Sequence, residues 1–329
     1  MKSSTRIILL TGATGFVGRA LAPRLLSTGW QVRCLTRNAA RARAALPERQ
    51  WVQGDLGSAD DCARALDGCS TAMYLVHGMG EGSDDYQRRE IEGARRFARA
   101  AGTAGVKRIV YLGGISPAGE PSPHLRSRLA VGQELRNGPV PTVELRASMI
   151  IGHGSLSWLI VRDLAARLPV MVLPSWLRSR SEPVAIADVL TALVAATDAP
   201  MVARNASFDL PGPDVLSGHE ILDETARQMK LRRPLAIEVP LLSPRLSSHW
   251  VRFVTRAKWT VAREVVMGLT HDLVSRDAAY WRLIGHDDRL SFGEAARLAL
   301  AAERASGPPS GPWGLIERLI KRTLARQAG

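Results

Sequence analysis

The feature that most constrains this chain is a glycine-spaced turn between a short apolar run and a helix-like stretch. The run Ile7–Leu10 leads into residues 11–18, where Gly12, Gly15 and Gly18 recur every three residues. A strand ending on glycine can turn sharply, Gly15 lets the backbone approach a pyrophosphate, and Gly18 lets the next helix pack on the sheet. The positive end of that helix then faces the phosphates. This order of elements predicts a dinucleotide site rather than an ordinary glycine-rich turn.

The stretch after the motif, residues 19–27, is predicted to be an amphipathic helix. Its apolar side is formed by Ala20, Leu21, Leu25 and Leu26. We predict that the loop and the first helical turn contact the cofactor through Gly12, Thr14, Gly15, Phe16, Val17 and Gly18.

The next strand, predicted over residues 30–36, indicates which nucleotide is preferred. About 20 residues past the last glycine an NAD site places an acid for the ribose 2′-hydroxyl, and this chain has Arg37 there. A guanidinium suits a 2′-phosphate, and Arg41 and Arg43 lie close in sequence. NADP is therefore favoured. The alternative is that these arginines are solvated surface and that NAD, or both nucleotides, bind.

The composition describes a chain that can bury a large core. Of its 329 residues, 46% are hydrophobic and 23% are charged, which is typical of a globular protein. The three cysteines, Cys34, Cys62 and Cys69, form no disulfide framework and no metal-ligand spacing with histidine, so we expect core residues in a reducing compartment and no metal. No stretch reaches the roughly 20 apolar residues of a membrane span. We expect a cytoplasmic protein.

The net charge of +13 comes from 44 Lys and Arg against 31 Asp and Glu. Nucleic acid or an anionic membrane could exploit such a charge. However, no zinc-finger spacing, aromatic RNA-binding motif or helix-turn-helix pattern accompanies it. We therefore expect no nucleic-acid partner.

Strand-like and helix-like segments alternate along the first half of the chain. Strands are predicted at 50–52, 71–76, 107–112 and 142–145 with 149–151, and helices at 62–66, 84–102 and 126–136. The inner side of the long helix is predicted to carry Ala94, Phe97, Ala98 and Ala101. Such alternation gives a parallel sheet with helices on both faces. We predict an α/β fold, a Rossmann-type doubly wound parallel sheet with a smaller C-terminal substrate subdomain.

The second half is predicted to build the substrate side. Residues 152–155 form a polar turn before a helix, residues 186–197 form another helix, and Ser217 with Glu220 forms a capping box at the start of a helix over 217–230. The apolar region 241–273 lines a cleft or forms a second core. We divide the chain into a nucleotide-binding domain at 1–210, a substrate-side subdomain at 211–305, and a linker with a tail at 306–329.

The tail is predicted to be a basic amphipathic helix over residues 313–326. One side carries Trp313, Ile316, Leu319, Ile320 and Leu324, and Arg318, Lys321, Arg322 and Arg326 surround it. A helix of this kind binds anionic lipid at a membrane surface. It could equally dock on its own protein or on a second subunit. The sequence leaves the oligomeric state open.

Several ordered landmarks resemble those of extended and atypical short-chain dehydrogenases/reductases, especially the NmrA-like group. They are residues 11–18, Asp55 with Leu56, residues 108–114, 143–146 and 208–213, and a later run at 244–255 resembles a bacterial subgroup of NAD(P)H-binding oxidoreductases. The resemblance implies that Gly12, Gly15, Arg37, Asp55 and Leu56 bind the nucleotide. It also implies that Val76 and His77 line the nicotinamide side.

The catalytic pair of that family is replaced in this chain. Active members place a Tyr and a Lys four residues apart on a helix, and alignment puts His124 and Arg128 at these positions. His124 could exchange a proton near pH 7, since the ordinary pKa of histidine is about 6.5. Arg128 could hold a ribose hydroxyl but could not act as a base. The family serine falls at Gly114, so Ser116 is a displaced substitute.

Two functional classes follow from the sequence. The chain is predicted to be an oxidoreductase that passes a hydride between NADPH and a carbonyl or activated alkene of an apolar small-molecule substrate. The alternative is a non-catalytic NADP(H)-binding redox sensor or assembly protein, as NmrA-like sensors and the Rossmann accessory subunit of respiratory complex I suggest by resemblance. Loss of the Tyr and Lys favours the second class, whereas the developed C-terminal half favours the first.

Overall fold

The structure, a computed structural model, describes residues 6–76, 84–117, 119–167, 170–173, 175–198, 205–231, 235–238 and 271–307. The strands are β1 Ile7–Leu10, β2 Gln31–Thr36, β3 Gln50–Gln53, β4 Thr71–Tyr74, β5 Arg108–Gly114, β6 Thr142–Ala147, β7 Ile150–Ile151, β8 Val170–Leu173, β9 Arg180–Ser181, β10 Val184–Ala185, β11 Ala206–Asp209, β12 Leu216–Ser217 and β13 Leu235–Glu238. Most residues of the central strands β1, β4, β5 and β6 are buried, as expected for a sheet that is covered on both faces.

Seven of these strands form one parallel sheet in the order β11-β6-β5-β4-β1-β2-β3. The chain moves from β1 to β2 and β3 in one direction, then crosses to β4 and moves the other way. The order therefore reverses between β1 and β4, and ligands of open α/β sheets bind outside the carboxyl ends at such a point. Three pairs of short strands, β10-β7, β12-β9 and β13-β8, lie outside the main sheet.

The helices are α1 Phe16–Ser27, α2 Ala39–Ala45, α3 Ala59–Leu66, α4 Asp84–Thr103, α5 Pro123–Arg136, α6 Leu156–Arg167, α7 Ile186–Asp198, α8 Gly218–Gln228, α9 Ala279–Leu283 and α10 Phe292–Ala305, with a 3-10 turn at Ser175–Arg178. The predicted capping box is present: Ser217 accepts from the backbone of Glu220, whose carboxylate accepts from the backbone of Ser217. Ser291 and Glu294 form the same box at α10.

Both faces of the main sheet are covered by apolar side chains, as the doubly wound prediction requires. One cluster joins β1 and β6 to α1 and α7, and another packs α3, α4 and α5 on the opposite face. The four residues predicted for the inner side of α4 are all buried. The first cluster also takes in Tyr280 and Trp281 of α9. Tyr280 donates a hydrogen bond to the Ala192 carbonyl, and Trp281 donates one to the Pro211 carbonyl.

A second core lies beside the sheet and is built by α6, α8 and α10. Its large side chains include Trp158, Ile221 and Phe292. The proposed domain boundaries remain a prediction, and most of the region 241–273 and the whole tail 313–326 lie outside the described residues. None of the helices that the structure describes is both long and apolar enough to cross a membrane.

Three local predictions were wrong. Leu26, placed on the buried side of α1, is 49% exposed, because the buried residues are instead Gly18, Leu21, Ala22 and Leu25. Residues 150–151 do not continue β6 but pair with β10 in a separate sheet. Helix α5 begins at Pro123 rather than at residue 126, since Ser122 caps it and proline suits the first turn. His124 therefore lies in the first turn of α5.

Candidate cofactor and catalytic site

A pocket of about 780 Å³ opens at the carboxyl edge of the sheet, where the strand order reverses. We call it the dinucleotide pocket. Its walls come from residues that follow β1, β2, β3 and β4. They include seven of the predicted cofactor contacts: Gly12, Thr14, Gly15, Arg37, Asp55, Leu56 and Val76. The loops thus bring together positions that are up to 64 residues apart in the sequence.

The glycines after β1 are required by close contacts behind the loop. Gly12 has a φ of +66°, and a Cβ there would lie 2.6 Å from the Leu75 carbonyl oxygen. A Cβ on Gly18 would overlap the Gly12 carbonyl, so helix α1 can approach the loop only with glycine at this position. The loop is held against β4 from behind, and its other side faces the pocket.

Helix α1 begins directly after this loop. Gly15 is its N-cap residue and provides no side-chain hydrogen bond, so the first N–H groups keep their capacity to bind an anion. Phe16, Val17 and Gly18 form the first turn, and the pocket walls do not include them. Phe16 instead packs against the turn after β7, since a Cβ on Gly152 would lie 3.0 Å from the Phe16 Cζ.

The charged groups of the pocket favour an anion. Arg19, Arg37 and Arg41 line it, together with one acidic residue, Asp55. The Asp55 carboxylate accepts a hydrogen bond from the Gly57 N–H at 2.7 Å. Arg43, expected to help with a 2′-phosphate, donates to the Trp51 carbonyl at 3.3 Å and is directed to β3. Arg19 replaces it as the third cation of the pocket.

The nicotinamide side is described only in part. Val76 lines the dinucleotide pocket after β4 and is 37% exposed. His77 lies outside the described residues, so its predicted contact remains a prediction.

Arg128 lies on α5 and clamps the carboxyl end of β5. Its Nη2 donates to the carbonyls of Leu112, at 3.2 Å, and Gly113, at 3.0 Å. Tyr111 of β5 donates its hydroxyl hydrogen to the Arg128 carbonyl at 2.8 Å. The guanidinium group therefore ties helix to strand, whereas a lysine at this position in the family would serve the cofactor ribose.

The same packing explains the missing serine. A Cβ on Gly114 would lie 2.6 Å from Leu125 Cδ1 and 3.7 Å from Arg128 Nε. A side chain at 114 would therefore have to displace the Leu125 side chain. Ser116 lies two residues further along and is exposed.

His124 lies one turn before Arg128 on α5. Burial lowers the pKa of its imidazole to about 4, and the Arg128 charge lowers it further in the same direction. The imidazole is therefore neutral at pH 7. From the ordinary pKa of histidine, His124 is instead predicted to donate or accept a proton near pH 7. The structure makes it a neutral group that can donate a hydrogen bond through one ring nitrogen.

Sequence reasoning missed two contacts around these residues. Arg49, just before β3, donates to the Ala13 carbonyl at 3.3 Å and to the Arg19 carbonyl at 3.0 Å, behind the glycine loop. His271 packs against the loop between β5 and α5, since a Cβ on Gly119 would lie 2.6 Å from its Cδ2. No motif marks either residue, because both contacts join segments that are distant in sequence.

The dinucleotide pocket fits a nicotinamide dinucleotide. A glycine loop without side chains and an uncapped helix end suit the pyrophosphate, and the arginines balance the charge of the nucleotide. In the described part of the chain no three His, Cys, Asp or Glu side chains come together to hold an ion.

Comparison with known proteins agrees with this assignment. A family model described as NAD(P)H-binding matches residues 12–165, from the glycine loop to α6. This part of the chain is thus similar to NAD(P)H-binding domains. This similarity supports a nicotinamide cofactor.

Similar proteins include reductases and dehydrogenases. A ceramide reductase of Caulobacter vibrioides is 30% identical over 202 residues, 60% of this chain and 62% of that protein. A 3 beta-hydroxysteroid dehydrogenase/Delta 5-->4-isomerase of Mycobacterium tuberculosis is 37% identical over 113 residues, 32% of this chain and 30% of that protein. The chain thus spans less than two thirds of the length of either protein.

Solved structures share the fold. A short-chain dehydrogenase/reductase superfamily protein from Agrobacterium tumefaciens with bound NAD superposes with a TM-score of 0.65 at 18% identity, covering 92% of this chain and 98% of that one.

Proposed function

We propose that the protein is an NADP-preferring oxidoreductase that reduces, or forms, a carbonyl group on an apolar substrate. The observation that carries the proposal is the dinucleotide pocket with its three arginines and its glycine loop. Arg37 occupies the position where an NAD site needs an acid, and Arg19 and Arg41 add positive charge beside it. A 2′-phosphate would gain charge-assisted hydrogen bonds there.

The chemistry divides between cofactor and protein. When bound, the nicotinamide supplies or accepts the hydride. Arg128 fixes the end of β5 and the start of α5, and so fixes His124. The neutral His124 imidazole donates a hydrogen bond to the substrate oxygen, as a preorganised dipole does for developing negative charge. Because this imidazole is so weak a base, the proton itself comes from water, with exposed Ser116 as a relay.

The substrate class rests on two supports. Both relatives are named for lipophilic substrates, a ceramide and a steroid. The chain itself carries two Trp, one Phe, five Val and one Met at 241–273, where an apolar wall would bury a lipid-like molecule.

The test is to mix the protein with NADPH and each of a panel of long-chain and steroidal ketones. The loss of the absorbance of reduced nicotinamide measures the rate of NADPH oxidation. His124→Ala should lower turnover by about 10²-fold, the loss typical of one positioned donor, while the Kd for NADPH stays unchanged. Arg126→Ala, an exposed change on the same helix, is the matched control. Wild-type turnover in His124→Ala would remove His124 from the mechanism.

A second candidate function is non-catalytic binding of the dinucleotide, as a redox sensor or assembly factor. The observation that favours it is Arg128, whose Nη2 is engaged by β5 carbonyls where catalytic members of the family use a lysine. This candidate expects tight NADPH binding with no oxidation of NADPH by any carbonyl in the panel.

Location and partners belong to the same proposal. Burial raises the pKa of the Cys34, Cys62 and Cys69 thiols to about 11, and all three are free and buried, which suits the cytoplasm. The tail at 313–326 is proposed to give peripheral contact with anionic membranes, where a lipophilic substrate would be found.

A further inference from the structure

We infer that Arg49 is a positioning residue for the dinucleotide: it turns the glycine loop so that a backbone N–H points into the pocket. The Arg49 side chain is only 6% exposed and lies behind the loop. Its Nη1 donates to the Ala13 carbonyl and its Nη2 to the Arg19 carbonyl. One guanidinium group therefore joins the loop to the second turn of α1.

The Arg19 carbonyl is available because of a proline. In an α-helix this oxygen would accept from the N–H of residue 23, and residue 23 of α1 is Pro23, which has no N–H. The helix thus leaves one carbonyl without its usual donor, and Arg49 supplies the donor. Pro23 and Arg49 thus act on the same carbonyl group, although 26 positions separate them in the sequence.

The bond to Ala13 acts on the pocket. A peptide unit is planar and trans, so the C=O of Ala13 and the N–H of Thr14 point in opposite directions. Holding the carbonyl against Arg49 turns the Thr14 N–H away from the protein interior, and Thr14 lines the dinucleotide pocket. Donation by a cation to the carbonyl also polarises the amide and strengthens its N–H as a donor.

Charge adds to the effect. Glu48 is an acidic neighbour: its Oε1 lies 3.4 Å from the Arg49 Nε, and its side chain is 59% exposed. Solvent screens that pair more than it screens the buried guanidinium. The cation therefore contributes positive potential directly behind the pyrophosphate loop. The inference rests on the dinucleotide site and is independent of the proposed reaction.

The test uses Arg49→Met, which keeps an apolar stem and removes the donors. Arg33→Met is the matched control, since Arg33 also donates to two backbone carbonyls, those of Ala65 and Asp67, away from the loop. Both variants should lose stability. Only Arg49→Met should weaken NADPH binding, by roughly tenfold or more, and only it should speed amide hydrogen exchange in residues 12–16. Arg49→Lys should recover part of the affinity.

A second substitution separates the effect of Arg49 on the orientation of the glycine loop from its effect on the stability of the fold. Pro23→Ala supplies an N–H to the Arg19 carbonyl but nothing to the Ala13 carbonyl. In the Arg49→Met background it should therefore restore much of the stability while NADPH affinity stays low. Recovery of both would mean that the loss of affinity merely follows the loss of stability, and would overturn the inference. So would a wild-type Kd in folded Arg49→Met, or an equal loss of affinity in Arg33→Met.

Discussion

At the rim of the dinucleotide pocket, Arg37 and Arg43 are six positions apart, exposed and equally charged. Only Arg37 lines the pocket, because Arg43 donates to the Trp51 carbonyl. Arg37→Asp should therefore weaken NADPH binding by roughly 10-fold to 100-fold, the loss of one charge-assisted contact, and favour NADH. Calorimetry with both nucleotides measures the effect.

Arg43→Asp is the control for this prediction. It changes the net charge by the same amount and should leave the preference between the nucleotides nearly intact. Equal affinities for NADPH and NADH in the wild type would contradict the assignment of Arg37.

His124 makes a prediction about stability and pH. Its pKa is about 4 in the folded protein and near 6.5 unfolded, so the unfolded state binds more protons between these values. Stability from His124 is complete above pH 6.5 and is lost as the pH falls towards 4. With allowance for partial exposure, the loss is about 2 kcal/mol.

Urea unfolding at pH 7 and pH 4.5 measures this loss, with His124→Gln as the comparison. The variant should lose less stability than the wild type on acidification. An identical pH dependence in both proteins would show that the imidazole is not buried as a neutral group.

Among the elements, the loop between β5 and α5 depends on a contact from the C-terminal segment. Leu273 donates to the Arg180 carbonyl at 2.8 Å, and Asp272 accepts from the Arg180 N–H, which fixes His271 against Gly119. Gly119→Ala should push the imidazole away and lower stability by up to about 1 kcal/mol, less than overpacking costs in a closed core, because both residues are exposed. Thermal unfolding measures the change.

His271→Ala removes the obstruction, so adding Gly119→Ala in that background should cost much less. A cost that is the same with and without the imidazole would mean that the strain arises elsewhere in the loop.

The elements show what a sequence can predict. Helix α4, Asp84–Thr103, and its buried side were predicted almost to the residue, because its apolar spacing holds over many turns. The start of α5 was missed because the cap Ser122 follows a proline-rich loop. The partner of β7 could not be predicted at all, since its pairing with β10 is set by tertiary contacts.

The candidate site likewise contains residues that could be predicted from the sequence and residues that could not. Gly12, Arg37 and Asp55 follow strand ends, and strand ends of a parallel sheet meet at one edge, so their meeting could be predicted. The clamp formed by Arg128, the neutral state of His124 and the contacts of Arg49 depend on burial and on carbonyl directions. The spacing of residues in the sequence predicts neither the burial of a side chain nor the direction of a carbonyl group.

At the scale of the whole molecule, the tail at 313–326 predicts a salt-sensitive surface attachment. Its four cations draw it to anionic lipid before its apolar side is buried, so binding should fall as salt rises. Full-length protein should sediment with anionic vesicles at low salt and less with neutral ones.

Deleting residues 307–329 should abolish this binding while leaving NADPH affinity unchanged. Failure of the full-length protein to sediment with anionic vesicles, or unfolding of the deletion variant, would favour a tail that docks on its own protein.

Tyr280 and Trp281 have a consequence for how the chain is made. Both are buried in the cluster that also holds β1, α1 and α7. Tyr280 packs against Phe208 of β11 and donates a hydrogen bond to Ala192 of α7. Because a ribosome delivers the chain from the N-terminus, this edge of the sheet stays incompletely covered until α9 has been made. We therefore expect this edge of the sheet to finish folding only after α9 has been synthesised.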